Sequence, residues 1–209
     1  MLDKAATEMI RPAVNNIARG LHRLGVSANQ VSFAAFGFGM FAAYLIANNA
    51  YFLSACVIVF SRTLDALDGA VARLTRPTDA GGFLDISLDF IFYASIPLAF
   101  AVADPLQNAL PAAVLLAAFM GTGTSFLAFA TLAAKRGLHN AAYPNKSFYF
   151  LGGLTEATET LACFLAMCLW PRYFPELAYG FAVLCAITIF TRIVGGYLML
   201  KQADRADPP

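Results

Sequence analysis

The stretch LDALDGAVARLTRPTDAGGFLDISLDF, residues 64–90, places four aspartates inside a chain that is otherwise strongly apolar. Asp65 and Asp68 lie near the end of one apolar segment, and Asp85 and Asp89 lie near the start of the next. Charged side chains inside membrane helices are costly, so they usually mark a functional site. The question is what these four carboxylates bind.

The composition indicates a membrane protein. Of 209 residues, 59% are hydrophobic and 13% are charged, whereas a soluble domain carries about 25% charged residues. No charged residue occurs between Arg23 and Arg62. The apolar segments are continuous rather than alternating, which favours helices over a β-barrel. The net charge of +1 gives no reason to expect a nucleic-acid partner.

The hydropathy pattern predicts an all-α polytopic protein that forms a single membrane domain, 1–209. Residues 1–24 have apolar positions at helical spacing opposite basic ones, which predicts an amphipathic helix lying at the membrane interface. The alternative is an ordinary helix packed on the protein's own cytosolic face. A bundle over 31–200 is expected to contain six spans: 31–48, 51–73, 82–101, 108–134, 149–169 and 177–200.

The distribution of basic residues supports this topology. With the N-terminus inside, six spans leave Arg172 alone on the outer side, while Arg62 and Arg192 fall within spans. Cytoplasmic loops are enriched in Lys and Arg. We therefore expect both termini and the aspartates to face the cytoplasm, in a bacterial inner membrane. The inner side receives Lys4, Arg11, Arg19, Arg23, Arg73, Arg76, Lys135, Arg136, Lys146, Lys201 and Arg205.

The two aspartate-bearing segments are predicted to form a helical hairpin, because the Pro and Gly residues of LTRPTDAGG (74–82) suit a tight reversal. At a rise of about 1.5 Å per residue, Asp65 lies about 12 Å from Arg73 along its helix, and Asp89 lies about 12 Å from Gly81. The pair Asp65 and Asp68 therefore lies at the same depth in its helix as the pair Asp85 and Asp89 in the next helix. All four carboxylates can converge on one site.

Four unpaired carboxylates would repel one another, and divalent cations remove that objection. Mg²⁺ or Mn²⁺ prefers oxygen ligands, and four acids suffice for two ions of the kind that support phosphoryl displacement. Arg73 is suited to binding phosphate. A cation-coupled transporter would also use intramembrane acids, although it does not account for the neighbouring Gly, Ala and Arg.

The spacing of these residues resembles a family signature. D-x-x-D-G-x-x-A-R (65–73), seven residues and then G-x-x-x-D-x-x-x-D (81–89) are similar to the motif of the CDP-alcohol phosphotransferases, at every fixed position. The resemblance implies transfer of a substituted phosphate from a CDP-linked donor, commonly CDP-diacylglycerol, to an alcohol, with release of CMP. It also implies phospholipid synthesis at the bilayer and a homodimer. Donor and acceptor can also be reversed, with a CDP-alcohol and diacylglycerol.

The resemblance also implies roles for particular residues. Asp65, Asp68, Asp85 and Asp89 would be metal ligands, and Asp89 would also act as the base for the attacking hydroxyl. The cytidine-diphosphate site would be lined by Gly69, Ala72, Arg73 and Gly81, with Asn29 and Ser32 of the SANQVS segment (27–32) as further candidates.

The acceptor is left open by the sequence. Acidic residues would favour a cationic alcohol such as choline, ethanolamine or serine, whereas basic ones would favour a phosphorylated or anionic alcohol. Arg62 could contact donor phosphate or pair with Asp65. The candidates for the acceptor pocket are Glu156, Glu159, Arg192, Lys135 and Arg136, with Lys146 as a further basic residue.

Overall fold

The computed structural model describes residues 2–137 and 153–206, and it is helical almost throughout these ranges, with no strand. Side chains are described from residue 12 onward. The elements are α1 (Leu2–Arg23), α2 (Ala28–Ala47), α3 (Tyr51–Leu74), α4 (Asp79–Ala103), α5 (Pro105–Lys135), α6 (Ala157–Leu169), a short 3₁₀ turn (Pro171–Tyr173) and α7 (Phe174–Ala206).

The all-helical class is confirmed, and the helices α2 to α7 overlap the six predicted spans. Four stretches of the described chain are long and apolar enough to cross a membrane: α2, α4, α5 and Pro171–Arg205. Helix α3 has 24 residues, but its second half carries charged side chains. Helix α6 is described over 13 residues, and residues 149–152 of its predicted span lie outside the described residues, as does Lys146. The count of six spans stays a prediction.

The N-terminal helix packs against the protein in its described half. Val14 and Ala18 of α1 are buried in one cluster with Leu67 and Val71 of α3. Ile17, on the neighbouring face, is 50% exposed. The second half of α1 therefore packs on the protein's own helices, as in the alternative given above. The position of α1 at a membrane interface stays a prediction.

Two buried hydroxyls join α3 to α2. The Ser54 hydroxyl donates to the carbonyl of Ala42 at 2.8 Å, and the Ser61 hydroxyl donates to the carbonyl of Ala35 at 2.7 Å. Both serines are fully buried. Lipid offers no hydrogen-bond partners, so short hydroxyl side chains that reach a neighbouring backbone are suited to close helix contacts in a membrane.

Aromatic rings fill the bundle at the end away from the aspartates. Tyr51 stacks on Phe100 with ring centroids 5.6 Å apart, and Phe100 stacks on Phe174 at 4.4 Å. These rings join the start of α3, the end of α4 and the start of α7. In contrast, many large apolar side chains on the outer faces of the helices are exposed, such as Tyr44 and Phe190, as expected for a surface solvated by lipid.

Phe92 of α4 lies against a glycine of α2. A Cβ atom built on Gly39 would lie 2.6 Å from the Phe92 ring, and that ring is fully buried. Gly37, two residues earlier on the same helix, is exposed and has no atom within 4 Å of its built Cβ. The absence of a side chain at Gly39 is therefore what allows α2 and α4 to approach at this level.

We expect Gly39→Ala to destabilise the protein by about 1–3 kcal/mol, because overpacking forces a buried ring or a helix to move. Thermal unfolding in detergent would show a lower midpoint. The matched variant Gly37→Ala should unfold at or slightly above the wild-type midpoint, since Ala is the better helix former and meets no neighbour. Equal midpoints for the two variants would contradict this packing.

Candidate active site

The reversal between α3 and α4 brings the aspartates together. Helix α3 ends at Leu74, and α4 begins at Asp79 after Thr78, whose hydroxyl accepts a hydrogen bond from the Gly81 backbone N–H at 3.1 Å. The cap of α4 is therefore Thr78, and Asp79 is an exposed first-turn residue. Only four residues, 75–78, separate the helices, which sets the end of α3 beside the start of α4 as the sequence predicts.

Three carboxylates form a compact group. One oxygen each from Asp65, Asp68 and Asp85 lies within 4.8 Å of the other two. Asp68 is only 6% exposed, and its Oδ2 has no hydrogen-bond partner among the described residues. A buried carboxylate oxygen without a partner is costly unless a cation binds it. The donor set of oxygens alone is the one that Mg²⁺ or Mn²⁺ prefers, so these residues fit a divalent metal.

A cavity of about 630 Å³ opens beside this group, between α2, α3 and α4. Asp68 and Asp85 line it, as does the Thr78 cap. Gly69 in its wall has no side chain, so the helix backbone is accessible there. All six residues that the sequence assigned to the nucleotide site lie in its wall: Asn29, Ser32, Gly69, Ala72, Arg73 and Gly81. We call it the donor-side cavity.

A second cavity, of about 660 Å³, is adjacent to the first and is mostly apolar. Helices α4, α5, α6 and α7 contribute to it, and Asp89 lies in its wall together with Tyr93. Phe126 of α5 lines both cavities. We call this one the acceptor-side cavity. The aspartates of the motif are therefore divided, with Asp68 and Asp85 facing one cavity and Asp89 the other.

Arg62 pairs with two of the four aspartates. Its Nη1 lies 2.6 Å from Oδ1 of Asp89 and 3.3 Å from Oδ1 of Asp65. The sequence left open whether Arg62 contacts donor phosphate or pairs with Asp65. The structure contains the pair with Asp65, and Asp89 is a second and nearer partner. The further prediction that Asp89 ligates a metal stays a prediction, since the group of three does not include it.

Two of the five residues predicted for the acceptor pocket line the acceptor-side cavity. Glu156 lies in its wall, and its Oε1 accepts a hydrogen bond from the Gly153 backbone N–H at 3.2 Å. Arg192 is 8% exposed and donates to the carbonyl of Thr122 at 3.3 Å. These contacts hold both charged groups at the junction of α5, α6 and α7.

The other three residues do not line the cavity, and the position or contacts of each explain why. The Glu159 carboxylate accepts a hydrogen bond from the Glu156 backbone N–H at 3.1 Å, which caps α6. Lys135 is exposed at the last residue of α5, beyond the cavity. Arg136 is also exposed there and forms an ion pair with Asp204 of α7. Their assignment to the acceptor pocket stays a prediction, which the lining of this cavity does not support.

Several residues in or beside the two cavities were not predicted from the sequence. Phe126 and Tyr93 are apolar or aromatic residues in apolar helices, so nothing in the sequence distinguishes them from core. Thr155 and Thr188 share a buried hydrogen bond of 3.0 Å at the edge of the acceptor-side cavity. Thr155 stands next to Glu156 in a Gly-rich segment, which is a weak signal. Thr188 gives no signal, because its partner is 33 residues away.

Together the fold and the site define a helical membrane protein with a carboxylate cluster beside two adjacent cavities. Residues 26–194 match the family described as CDP-alcohol phosphatidyltransferase. The chain therefore belongs to this family of membrane transferases of phospholipid biosynthesis, and the resemblance drawn from the motif is confirmed.

Two curated relatives extend the comparison. The inner membrane protein YnjF of Escherichia coli is 48% identical over 205 residues, which are 98% of this chain and 100% of YnjF. The archaetidylinositol phosphate synthase of Pyrococcus horikoshii is 34% identical over 97 residues, 46% of this chain and 51% of that protein. The similarity to an inner membrane protein agrees with the predicted location, whereas the orientation in the membrane stays a prediction.

Solved structures share the fold. The phosphatidylinositol phosphate synthase of Mycobacterium tuberculosis with CDP-DAG bound has a TM-score of 0.70 at 24% identity, covering 88% of this chain and 93% of that one. The same synthase with manganese and citrate has a TM-score of 0.71 at 23% identity and covers 88% of both chains.

We expect Asp68→Asn to weaken Mn²⁺ binding by at least about tenfold, because the buried unpartnered oxygen is replaced by an amide with less negative charge. Electron paramagnetic resonance of free Mn²⁺ in a titration of the detergent-solubilised protein measures this. Asp79→Asn removes an exposed acid of the same hairpin, so it should leave the affinity unchanged. The cluster is not the cation site if both variants bind as the wild type does.

Proposed function

We propose that this protein transfers a phosphatidyl group from CDP-diacylglycerol to the hydroxyl of a small alcohol, releasing CMP, with two Mg²⁺ or Mn²⁺ ions. The observation that carries the proposal is the division of the motif between the cavities. Asp68, Asp85 and the residues assigned to the nucleotide share one cavity, while Asp89 lines the adjacent one. A donor and an acceptor can therefore meet at the aspartates from two adjacent cavities.

The donor-side cavity suits a diphosphate linked to a nucleoside. Arg73 supplies a guanidinium group, which binds phosphate oxygens through two parallel hydrogen bonds. Gly69 and Gly81 present backbone without side chains, and a built Cβ on Gly69 meets only the Arg73 guanidinium, at 3.4 Å. Thus a ligand can reach the helix backbone at Gly69, whereas the space beside Gly81 holds the side chains of Thr78 and Asn29.

Asp65, Asp68 and Asp85 would hold the divalent ions. When bound, such ions neutralise a diphosphate and stabilise the charge that develops on the departing phosphate. The chain's own contribution is to fix three carboxylates on two helices of one hairpin, so that the diphosphate is held at the boundary between the cavities.

The position of Asp89 in the wall of the acceptor-side cavity supports a role as the base. In the proposed reaction the acceptor hydroxyl oxygen forms a bond to the phosphorus that carries the diacylglycerol. The bond from that phosphorus to the bridging oxygen breaks, and CMP leaves with the electron pair. Asp89 accepts the hydroxyl proton. The wall of the acceptor-side cavity is mostly apolar, which disfavours water around this proton transfer.

The acceptor is an alcohol that fits beside Glu156 and Arg192. The name of the archaeal relative, archaetidylinositol phosphate synthase, makes an inositol phosphate the first acceptor to test. Arg192 supports an anionic group, and Glu156 supports a cationic one, so serine, choline, ethanolamine and glycerol phosphate complete the panel. We also propose a homodimer with the site open to the cytoplasm, as the family resemblance implies.

We expect purified protein in detergent to release CMP from CDP-diacylglycerol in the presence of Mg²⁺ or Mn²⁺ and one acceptor of the panel. A chelator should abolish the release, and Asp89→Asn should lower turnover by about 10²-fold or more, the scale of general-base catalysis. Chromatographic quantification of CMP and of the lipid product measures both.

Two controls separate the alternatives. Release of CMP from a CDP-alcohol with diacylglycerol, and none from CDP-diacylglycerol, would reverse donor and acceptor. A cation-coupled transporter has no reason to consume either donor, so cation uptake into vesicles without CMP release from any donor would refute the transferase proposal.

A glycine of the donor-side cavity allows a second test. Gly69→Val should raise the KM for CDP-diacylglycerol about tenfold or more, since the side chain occupies space where the donor approaches the backbone. The thermal midpoint should change little, because only the flexible Arg73 guanidinium lies near the built Cβ. Gly180→Val on α7, where nothing lies within 4 Å, is the matched control. An unchanged KM would place the donor elsewhere.

A further inference from the structure

One buried hydroxyl fixes the start of α6 to α7. Oγ1 of Thr188 accepts hydrogen bonds from the backbone N–H groups of Leu154 and Thr155, each at 3.1 Å, and Thr188 is fully buried. Arg192 follows Thr188 by one turn of α7, and Glu156 follows Thr155 directly. The same contact therefore sets the position of the Glu156 carboxylate relative to the Arg192 guanidinium, and both residues line the acceptor-side cavity.

Both charged groups lie against Gly153. Its backbone N–H donates to Oε1 of Glu156 at 3.2 Å, and a Cβ atom built on it would lie 3.0 Å from Nη2 of Arg192. The carboxylate and the guanidinium are therefore neighbours with a single residue beside both. At such a separation each group offsets part of the charge of the other.

Arg192 also contacts α5. Its Nη1 donates to the carbonyl of Thr122 at 3.3 Å, and its guanidinium carbon lies 5.7 Å from the centre of the Phe126 ring. The residue is only 8% exposed. Arg192 thus uses part of its hydrogen-bonding capacity within the protein, and its positive charge faces the cavity together with the negative charge of Glu156.

This pair of charges bears on which acceptor the cavity can bind. The charged side chains in the described wall of the cavity are Asp89, Glu156 and Arg192, so two are acidic and one is basic. A phosphate monoester carries about two negative charges at neutral pH. Next to Arg192, such a group would also lie near the Glu156 carboxylate, and like charges repel strongly in a partly buried site. A hydroxyl or an amino group meets no such repulsion.

We propose that Glu156 is a specificity-determining residue that selects against phosphorylated alcohols, so that the acceptor is a small alcohol without a phosphate group. The proposal rests on the proposed function and narrows its panel of acceptors. Inositol phosphate, which entered that panel through the name of a relative, is then a poor acceptor, as is glycerol phosphate. The same alcohols without phosphate, and the amino alcohols, are the favoured class.

The wild-type protein provides the first test. The rate of lipid product formation from CDP-diacylglycerol with Mg²⁺ is measured for inositol and inositol phosphate, for glycerol and glycerol phosphate, and for serine, ethanolamine and choline. We expect the acceptor with the highest kcat/KM to be an alcohol without phosphate. Within each matched pair that reacts, the phosphorylated member should have a kcat/KM lower by about tenfold or more.

Glu156→Gln provides the second test, because it removes the charge and keeps an oxygen that can accept the Gly153 N–H. Glycerol phosphate serves as a competitor of the best acceptor, which is held near its KM. We expect its inhibition constant to be about tenfold lower in Glu156→Gln than in the wild type. Glycerol as competitor should change by less than about threefold, since it carries no charge. A folding defect does not tighten the binding of one competitor selectively.

Glu176→Gln is the matched control. Glu176 is an exposed acid in the first turn of α7, outside the described wall of the cavity. Its replacement should leave both inhibition constants as they are in the wild type. If Glu156→Gln does not yield folded protein, the comparison of acceptors with the wild type decides on its own.

Three results would overturn the proposal. These are a phosphorylated alcohol as the best acceptor of the wild type, an inhibition constant for glycerol phosphate that does not fall in Glu156→Gln, and an equal fall in Glu176→Gln. Failure of the proposed function is a separate outcome. It appears as a wild type that forms no CMP and no lipid product with any acceptor of the panel, and this proposal then fails with it.

Discussion

The presence of four carboxylates in an apolar helix bundle, one buried and three half-buried, is the constraint on which the rest of this structure depends. An ionised acid removed from water needs a cation or several hydrogen bonds. The chain meets this need in two ways within one hairpin. Arg62 supplies a fixed positive charge to Asp65 and Asp89, whereas the group of Asp65, Asp68 and Asp85 is suited to a divalent cation. Asp65 belongs to both arrangements and links them.

The packing around the hairpin follows from this constraint. Arg62 lies inside the bundle, where Ser61, Phe92 and the two aspartates replace part of its contact with water. Phe92 requires the open space at Gly39. A glycine, a serine and a phenylalanine on three helices thus serve one guanidinium. Such dependence explains why small residues are found at the closest contacts of these helices, where they also permit tight packing in lipid.

The sequence was informative where the site is local. Asp68, Gly69, Ala72 and Arg73 share one face of α3 by helical spacing alone, so their common cavity could be predicted. The acceptor side could not, because four helices build it and its wall depends on distant packing. Glu159 shows the difference. Its position near Glu156 predicted a pocket residue, but the start of α6 uses its carboxylate as a cap. The packing of Val14 and Ala18 on α3 likewise needed the assembled fold.

The division of labour between the cavities rests on the geometry of one helix. Four residues of an α-helix advance about 6 Å and turn about 400°, so Asp89 is displaced from Asp85 by one turn and by about 40° around α4. That small rotation is enough for Asp85 to face the donor-side cavity and for Asp89 to face the acceptor-side cavity. A spacing of three or five residues would turn the second carboxylate about 60° backward or 140° forward. The four-residue interval therefore keeps both acids near one boundary while giving each a different cavity.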